Sequence, residues 1–372
     1  MKPKPLEGIT VVEMGVSEAE GIAALLLSDY GARVIRLEFL QDEMERGKYR
    51  ICDRGKERIL FQPDLPEDRK WFRELLPGID VIVSSVPDLQ MAQWNLTVDT
   101  LCSQNPRLVY TSVTGFGQKG PYAQRCADDG TIQAESGFMS VTGPQGGEPL
   151  RSGSDFAAFA GGANACIATL MALIDAARTG KGRKIDVSMM DSLLYGFENQ
   201  FSVYLKSGRI PERRGNHYAL SAPVGDYLCR DGKKLMISVA TQTQWENFAR
   251  VLGHEEWIEH PDYRSLNGRL EHEASLGREV AAAFMEHESD ELMELLQTKS
   301  CIYGRINNFA EVVRHPQVRA RQMFTEIEAP DGTRAAVPSN PLVIDGQKCA
   351  GTVINGTKMC RECDINSLFG TK

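Results

Sequence analysis

The chain has 372 residues, a net charge of −8 and 42% hydrophobic residues, which is typical of a globular protein of roughly two domains. The negative balance and the lack of an extended basic run argue against nucleic acid and anionic membranes as partners. The N-terminus lacks the apolar core of a signal peptide, and no apolar run approaches the roughly 20 residues of a membrane span. We therefore expect a cytoplasmic protein.

The first part of the chain alternates short apolar strands with helices. Ser17 is placed to cap the first helix, and Gly31 is placed to end it. This alternation predicts a parallel sheet covered by helices, an α/β fold. The predicted strands are 9–13, 32–38, 80–84 and 108–113, and the predicted helices are 19–30, 66–76 and 98–104.

The middle of the chain is dominated by one long helix, predicted over 155–178. Small residues lie on nearly all of its sides, which favours a buried position and close backbone approach. A strand over 184–189 follows. Residues 193–217 have the pattern of a connecting helix and a linker.

The pattern changes after about residue 220. A hairpin is predicted over 227–237, with Asp231 and Gly232 at its turn, and a second hairpin centres on Asp331 and Gly332. Helices are expected over 241–252 and near 272–286 and 289–298. These elements predict a smaller α+β domain.

Nine cysteines, an odd number scattered along the chain, favour free thiols over a disulfide framework. Cys360 and Cys363 have a metal-like spacing, with Cys349 upstream. A fourth Cys or His is absent nearby, whereas a structural zinc site needs four ligands. We therefore expect no metal.

A motif between Thr142 and Asp191 carries a family resemblance. The motif contains a Thr-Gly turn, a proline, spaced glycines, Ala-Leu and Thr-Gly-x-Gly, here Thr142-Gly143, Pro149, Gly153, Gly162, Ala172-Leu173 and Thr179–Gly182. This order and spacing resemble the class III CoA-transferases, such as formyl-CoA transferase and carnitine CoA-transferase, and the related 2-methylacyl-CoA racemases. Weaker matches in the same order extend the resemblance from about Lys4 to about Ile344.

The resemblance implies a fold and an assembly. A Rossmann-like large domain is built from both chain ends, a smaller domain is inserted, and two subunits interlock as a dimer. On this basis we expect a large domain over 1–192 and 340–372, a linker over 193–222, a small α+β domain over 223–320, and a returning linker with a hairpin over 321–339.

The family chemistry is CoA transfer, with a coenzyme A thioester as cosubstrate and a small carboxylic acid as acceptor. An Asp attacks the acyl-CoA thioester to give a mixed anhydride, the released CoA returns to give an aspartyl-CoA thioester, and the acceptor acid then takes the CoA. At the family spacing, the position of this nucleophilic Asp is occupied by Ala158. Asp155, three residues earlier, is displaced by about 4.5 Å along a helix axis and about 60° around it.

The residues that the resemblance places against CoA are only partly those usual in the family. The turn after the first strand would contact the coenzyme through the backbone amides at the start of a helix. Two other contacts differ from the family pattern, because Ser85 replaces a usual Asn and Gln93 replaces a usual Arg. The implied CoA-binding residues are Ser17, Glu18, Ala19, Arg36, Ser85 and Arg125.

The racemase branch uses a His and an Asp to move an α-proton, but no His precedes His217 in this chain. Asp128 and Asp129 lie where transferases often have Tyr-Asp and racemases have His-Asp. The sequence therefore disfavours a racemase. His217 lies with Arg213 and Arg214 in the linker, as either a solvated cluster or a contact for an acidic substrate.

Three hypotheses follow for function. The first is the Asp-lacking subunit of a hetero-oligomeric transferase, paired with an Asp-bearing paralogue. The second is an active homodimeric transferase that uses Asp155, or else Asp129 or Glu135. The third is a non-catalytic acyl-CoA-binding or scaffolding protein.

Overall fold

The structure is a computed structural model that describes residues 4–39, 51–349, 351, 353–360 and 363. The chain divides into two compact units. The first comprises Met1–Met139, Arg151–Ile210 and Gln317–Lys372, and the second comprises Ser140–Leu150 and Pro211–Pro316.

The strands are, in chain order, β1 Thr10–Met14, β2 Arg33–Phe39, β3 Glu57–Phe61, β4 Val81–Ser84, β5 Val109–Thr114, β6 Lys184–Ser188, β7 Val224–Leu228, β8 Lys234–Ser238, β9 Ile302–Arg305, β10 Phe324–Glu328, β11 Arg334–Pro338 and β12 Thr357–Met359.

The helices are α1 Glu18–Asp29, α2 Pro66–Leu75, α3 Asp88–Gln93, α4 Val98–Gln104, α5 Asp129–Glu135, α6 Phe138–Val141, α7 Phe156–Thr179, α8 Met189–Gly196, α9 Glu198–Ser207, α10 Gln242–Val251, α11 Glu256–Glu259, α12 Leu266–Glu271, α13 Glu273–Phe284, α14 Ser289–Thr298, α15 Phe309–Arg314 and α16 Pro316–Ala320. Short 3₁₀ helices cover Ile51–Asp53 and Leu76–Gly78.

The first unit is built on a sheet of seven strands in the order β12-β3-β2-β1-β4-β5-β6, and every pairing within it is parallel. Helices cover the sheet because parallel strands need crossover connections. The order reverses between β1 and β4, as in a doubly wound Rossmann-like sheet. The edge strand β12 comes from the C-terminal part of the chain and pairs with β3. The expected α/β fold, with a large unit from both chain ends, is confirmed.

Hydrophobic cores lie on both faces of the sheet. One face packs β-strand residues against α2, α3 and α4, with Trp71, Phe72 and Trp94 among the buried side chains. The other packs against α1 and α7, where small residues such as Ala23 and Ala165 predominate. The small residues bring α1 and α7 close together.

Helices α1 and α7 approach each other closely at Gly162. A Cβ at this position would lie 2.6 Å from the Ala19 carbonyl oxygen and 2.9 Å from Ile22 Cβ. Backbone and β-branched atoms cannot move away cheaply, so only glycine fits here. Because α1 follows β1 and α7 precedes β6, both helices begin at the carboxyl edge of the parallel sheet.

Helix α7 is long and apolar enough, by length and composition, to cross a membrane. No membrane span was expected from the apolar runs of the sequence. It is weak evidence for a span, because core helices of soluble proteins meet the same criterion, and α7 packs on the sheet as described above. The absence of a membrane partner stays a prediction.

The second unit contains the antiparallel sheet β7-β8-β9 and the helices around it. Trp245, Phe248 and Phe284 lie in its own core with the buried faces of α10, α13 and α14. The predicted hairpin 227–237 is present as β7 and β8. The third strand, β9, was missed because its four residues alternate only weakly between partly buried and exposed.

The units differ from the predicted boundaries in three places. Residues 140–150 group with the second unit, the predicted linker contributes α8 and α9 to the first, and the hairpin β10–β11 also groups with the first. The sequence predicted a connecting helix and this hairpin, but it did not show which unit they join, since neither α9 nor the hairpin has a strongly buried face.

We expect Gly162→Ala to lower the free energy of unfolding by about 1–3 kcal/mol, because the new methyl group collides with the backbone of α1. Gly277→Ala, in α13, is the control. A Cβ there would meet nothing within 4 Å, so it should stabilise by roughly 0.4–1 kcal/mol. Urea unfolding followed by circular dichroism measures both, and equal effects of the two variants would contradict this packing.

Candidate active site

A cavity lies at the carboxyl edge of the sheet where the strand order reverses. The chain leaves β1 through Gly15, whose φ is +140°, and a Cβ there would lie 2.0 Å from Ser85 Oγ. Glycine therefore lets the end of β1 approach the end of β4. The Ser17 amide donates to Ser85 Oγ at 3.4 Å across this junction. Open α/β sheets bind ligands at such reversal points.

The cavity has a volume of about 450 Å³. The Phe39 and Trp94 rings lie on its wall with centroids 5.4 Å apart. Asp64 is the charged side chain in its lining among the described residues. The lining residues are Gly15, Val16, Phe39, Gln62, Pro63, Asp64, Leu65, Ser85, Val86, Pro87, Gln90 and Trp94.

The predicted CoA-binding residues are distributed unevenly around this cavity. Ser85 lines it, and Ser17 adjoins it through the bond to Ser85. Ser17 also caps α1, since its side chain accepts from the Ala19 amide at 3.2 Å. Glu18 is exposed and Ala19 is buried. The turn thus supplies a helix start beside the cavity.

Arg36 and Arg125 have protein partners instead. The Arg36 side chain is mostly buried, bonds Asp53, and lies 3.9 Å from Glu13. The Arg125 guanidinium lies 5.1 Å from the centroid of the Tyr122 ring and pairs with Glu135 at 2.7 Å. Neither arginine lines the cavity.

The start of α7 is held by a carboxylate from another helix. The Ala158 amide donates to Asp129 Oδ1 at 2.9 Å. Helix-start amides lack intrahelical partners, and a carboxylate is a strong acceptor for them. The Asp155 side chain, at the N-cap position, makes no cap bond. Asp129 therefore performs the capping that Asp155 does not.

Gln133 completes this connection. It is fully buried, and its Nε2 donates to Asp129 Oδ2 at 2.5 Å. Its Oε1 accepts from the Ser152 amide at 2.9 Å. The network fixes the loop before α7 as well as its first turn. Both oxygens of Asp129, which is 9% exposed, are thereby engaged.

Asp155 faces a different partner. Its carboxylate bonds Arg151, and the two side chains are 45% and 53% exposed, respectively. Arg151 Nη2 also lies 3.8 Å from Asp129 Oδ2. Ala158 is 3% exposed and brings only a methyl group to its position. Asp129 contacts the Ala158 amide and Asp155 precedes the helix, whereas Glu135 pairs with Arg125.

Next to this group, Asp128 caps α5. Its carboxylate accepts from the Thr131 hydroxyl at 2.5 Å and from the Thr131 amide at 2.8 Å. The hydroxyl bond above all holds the pKa of Asp128 below its ordinary value. This aspartate is therefore a helix cap, ionised at neutral pH.

The linker cluster is bound within the second unit. Arg213 donates to the Gly147 and Ser140 carbonyls at 2.9 and 3.0 Å. Arg214 and His217 share Glu273, each at 3.2 Å. Arg214 therefore forms an ion pair with Glu273, and His217 contacts the same carboxylate.

Among the described residues, no group of three or more His, Cys, Asp or Glu could hold a metal ion. Cys360 is buried in the core of the first unit, beside Cys363. The expectation of no metal stays a prediction.

Sequence reasoning missed Phe39, Trp94, Gln133 and Arg151. Phe39 lies one residue beyond the predicted strand 32–38, and Trp94 follows α3, which was not predicted. The cavity wall at Gln62–Leu65 was missed because β3, which precedes it, was not predicted. Gln133 lay inside a recognised motif, but its buried contacts had no separate signal. Arg151 was hidden in a loop, although an Arg four residues before an Asp is a recognisable pairing pattern.

A profile of the family described as CoA-transferase family III matches residues 6–352. The chain belongs to this family. The family accounts for the ordered motifs and supports a CoA-transferase function with an acyl-CoA thioester as cosubstrate.

Individual relatives agree with this membership. The chain is 30% identical over 358 residues to the succinate–glutarate CoA-transferase of Agrobacterium fabrum, covering 91% of this chain and 89% of that one. It is 28% identical over 341 residues to the succinyl-CoA–L-malate CoA-transferase beta subunit of Chloroflexus aurantiacus, covering 88% and 84%. A CAIB/BAIF family protein from Brucella suis has the same fold, with a TM-score of 0.83, 29% identity and coverage of 96% and 97%.

We expect Asp129→Ala to lower the free energy of unfolding by about 2 kcal/mol, because the Ala158 amide and Gln133 lose a charged acceptor. Glu135→Ala on the same helix is the matched control. It removes only a half-exposed ion pair and should cost less than about 1 kcal/mol. Urea unfolding distinguishes them, and a larger cost for Glu135→Ala would show that Asp129 does not hold α7.

Proposed function

We propose that this chain is the Asp-lacking subunit of a hetero-oligomeric CoA-transferase, working with an Asp-bearing paralogue. The observation that carries the proposal is the methyl group of Ala158, held at the start of α7 where the family motif has its nucleophilic Asp. A carboxylate is needed there because the reaction proceeds through acyl bonds to it. A methyl group cannot form such a bond.

The neighbouring acids are poor substitutes. Asp129 is buried and gives both oxygens to hydrogen bonds that fix the helix. Glu135 is paired with Arg125. Asp155 lies outside the first turn, bonded to Arg151. Covalent chemistry needs placement to better than about 1 Å, which favours a nucleophile supplied by another chain.

The cavity beside Gly15 and Ser85 fits the adenosine portion of CoA. Phe39 and Trp94 supply aromatic surface, and Gln62 and Gln90 supply polar groups suited to a base. Such a combination of apolar walls and a few polar groups is usual for small-molecule sites. We propose that this chain binds acyl-CoA there.

The proposed acceptor is a small dicarboxylic acid. The relatives cited above are named for succinate, glutarate and L-malate. These names support the class of acid and do not select one member of it.

A second chain would cover an exposed apolar surface on the first unit. Ile167, Met171 and Ile174 follow one another at helical spacing on α7 and are 50%, 66% and 65% exposed. Tyr195 and Leu205, on α8 and α9, are 88% and 78% exposed. Exposed apolar side chains on this scale mark association surfaces. We propose a homodimer or a heterodimer with the paralogue, interlocked as the family resemblance implies.

A homodimer that is active through Asp155 is the second candidate. Its support is that the Asp155 carboxylate is 45% exposed and precedes Ala158 by less than one helical turn. A non-catalytic acyl-CoA-binding protein is the third candidate, supported by the same cavity without a nucleophile.

Turnover by the purified chain tests these candidates. With succinyl-CoA and glutarate, we expect CoA binding by calorimetry but no transferase activity until an Asp-bearing paralogue is added. Activity from the chain alone would favour Asp155 and end the subunit proposal. Binding without activity in any combination would leave the acyl-CoA-binding protein.

We expect Ala158→Asp to give the isolated chain measurable CoA transfer, because the variant restores a carboxylate on a helix whose position Asp129 already holds. Steady-state transfer of CoA from succinyl-CoA to glutarate is the measurement. Ala157→Asp, one residue earlier on α7 and also buried, is the control and should give none. Equal activity of the two variants would contradict the assigned position.

A further inference from the structure

Arg151 lies between two carboxylates of different character. Its Nη2 bonds Asp155 and lies 3.8 Å from Asp129 Oδ2. Its side chain passes over Gly130, where a Cβ would lie 3.5 Å from Nε. The side chain is 53% exposed, so part of it is accessible to a ligand from solution.

Only one of these carboxylates can leave. Asp129 is buried and bonded to Gln133 and to the Ala158 amide. Asp155 is 45% exposed and makes no cap bond, so its side chain can rotate into solvent without leaving a helix amide unpaired. A surface ion pair of this kind is weak. A carboxylate from solution can form the same charge-assisted bonds.

We propose that Arg151 receives a carboxylate of the acid substrate, and that Asp155 is an internal carboxylate occupying Arg151 when the acid is absent. The identification of the ligand as a dicarboxylic acid rests on the proposed function. Arg151 thus determines specificity, and Asp155 is a competitor for it rather than a nucleophile.

The surrounding charge sets the strength of this site. Asp128, Asp129 and Asp155 face one arginine, with Arg125 already paired to Glu135. An incoming acid must displace Asp155 and approach the two remaining carboxylates. We therefore expect a Kd in the millimolar range, about 1 mM or weaker, for glutarate and the unmodified chain.

Glutarate titrated into the intact chain, followed by ligand-observed NMR, tests the proposal. Asp155→Asn removes the competitor and should tighten binding about fivefold. Arg151→Gln removes the receptor and should weaken binding roughly tenfold or more. The two variants should change glutarate binding in opposite directions. If the ion pair were merely structural, both variants would lose binding or neither would.

The double variant Arg151→Gln/Asp155→Asn decides how Asp155 acts. We expect it to bind glutarate as weakly as Arg151→Gln alone. If Asp155→Asn improves binding equally with and without Arg151, the effect is general charge repulsion and the proposal is overturned.

Asp175→Asn is the matched control. Asp175 lies near the other end of α7 and pairs with Arg183 at 2.5 Å, so its loss should leave glutarate binding unchanged. Binding is read without turnover, so the result is independent of whether this chain is catalytic. Failure of every variant to bind glutarate would overturn the acid site alone and leave CoA binding and the subunit proposal to their own tests.

Discussion

The hydrogen bond from the Ala158 amide to the Asp129 carboxylate is the constraint on which this site depends. It fixes the first turn of α7, and Gly162 fixes the next turn against α1. A helix held at two successive turns cannot slide by three residues, because every side chain would move by about 4.5 Å along the axis and about 60° around it. The register that places a methyl group at position 158 is therefore a property of the packing.

The same constraint explains what Asp155 does. Because Asp129 caps the helix from α5, the N-cap residue is released from capping and its carboxylate turns to Arg151. An exposed acid near a family active site is thereby compatible with a role in charge pairing. The cavity at the end of β1 and β4 does not include this cluster of acids in its lining, and the proposed coenzyme site rests on its apolar and aromatic walls.

Much of the fold followed from local patterns. The strands and helices that were predicted in the first half have strong hydrophobic periodicity and clear caps, so their positions agree with the structure within about two residues. Strand β12 was not predicted from a local pattern, because its three residues form a strand by pairing with β3. Strand β3 was also missed, and with it the cavity wall that follows. The family resemblance pointed to Ala158, but only the folded chain shows that Asp129 accepts from its amide, since this contact joins two helices and residues 29 positions apart.

Incubation of the wild-type chain with succinyl-CoA and hydroxylamine, followed by peptide mass spectrometry, tests the central claim most directly. If the start of α7 presents a methyl group where chemistry needs a carboxylate, no hydroxamate forms on any residue of this chain. A hydroxamate on Asp155 would show that the reactive carboxylate is present after all, and would contradict the assignment of this chain as the Asp-lacking subunit.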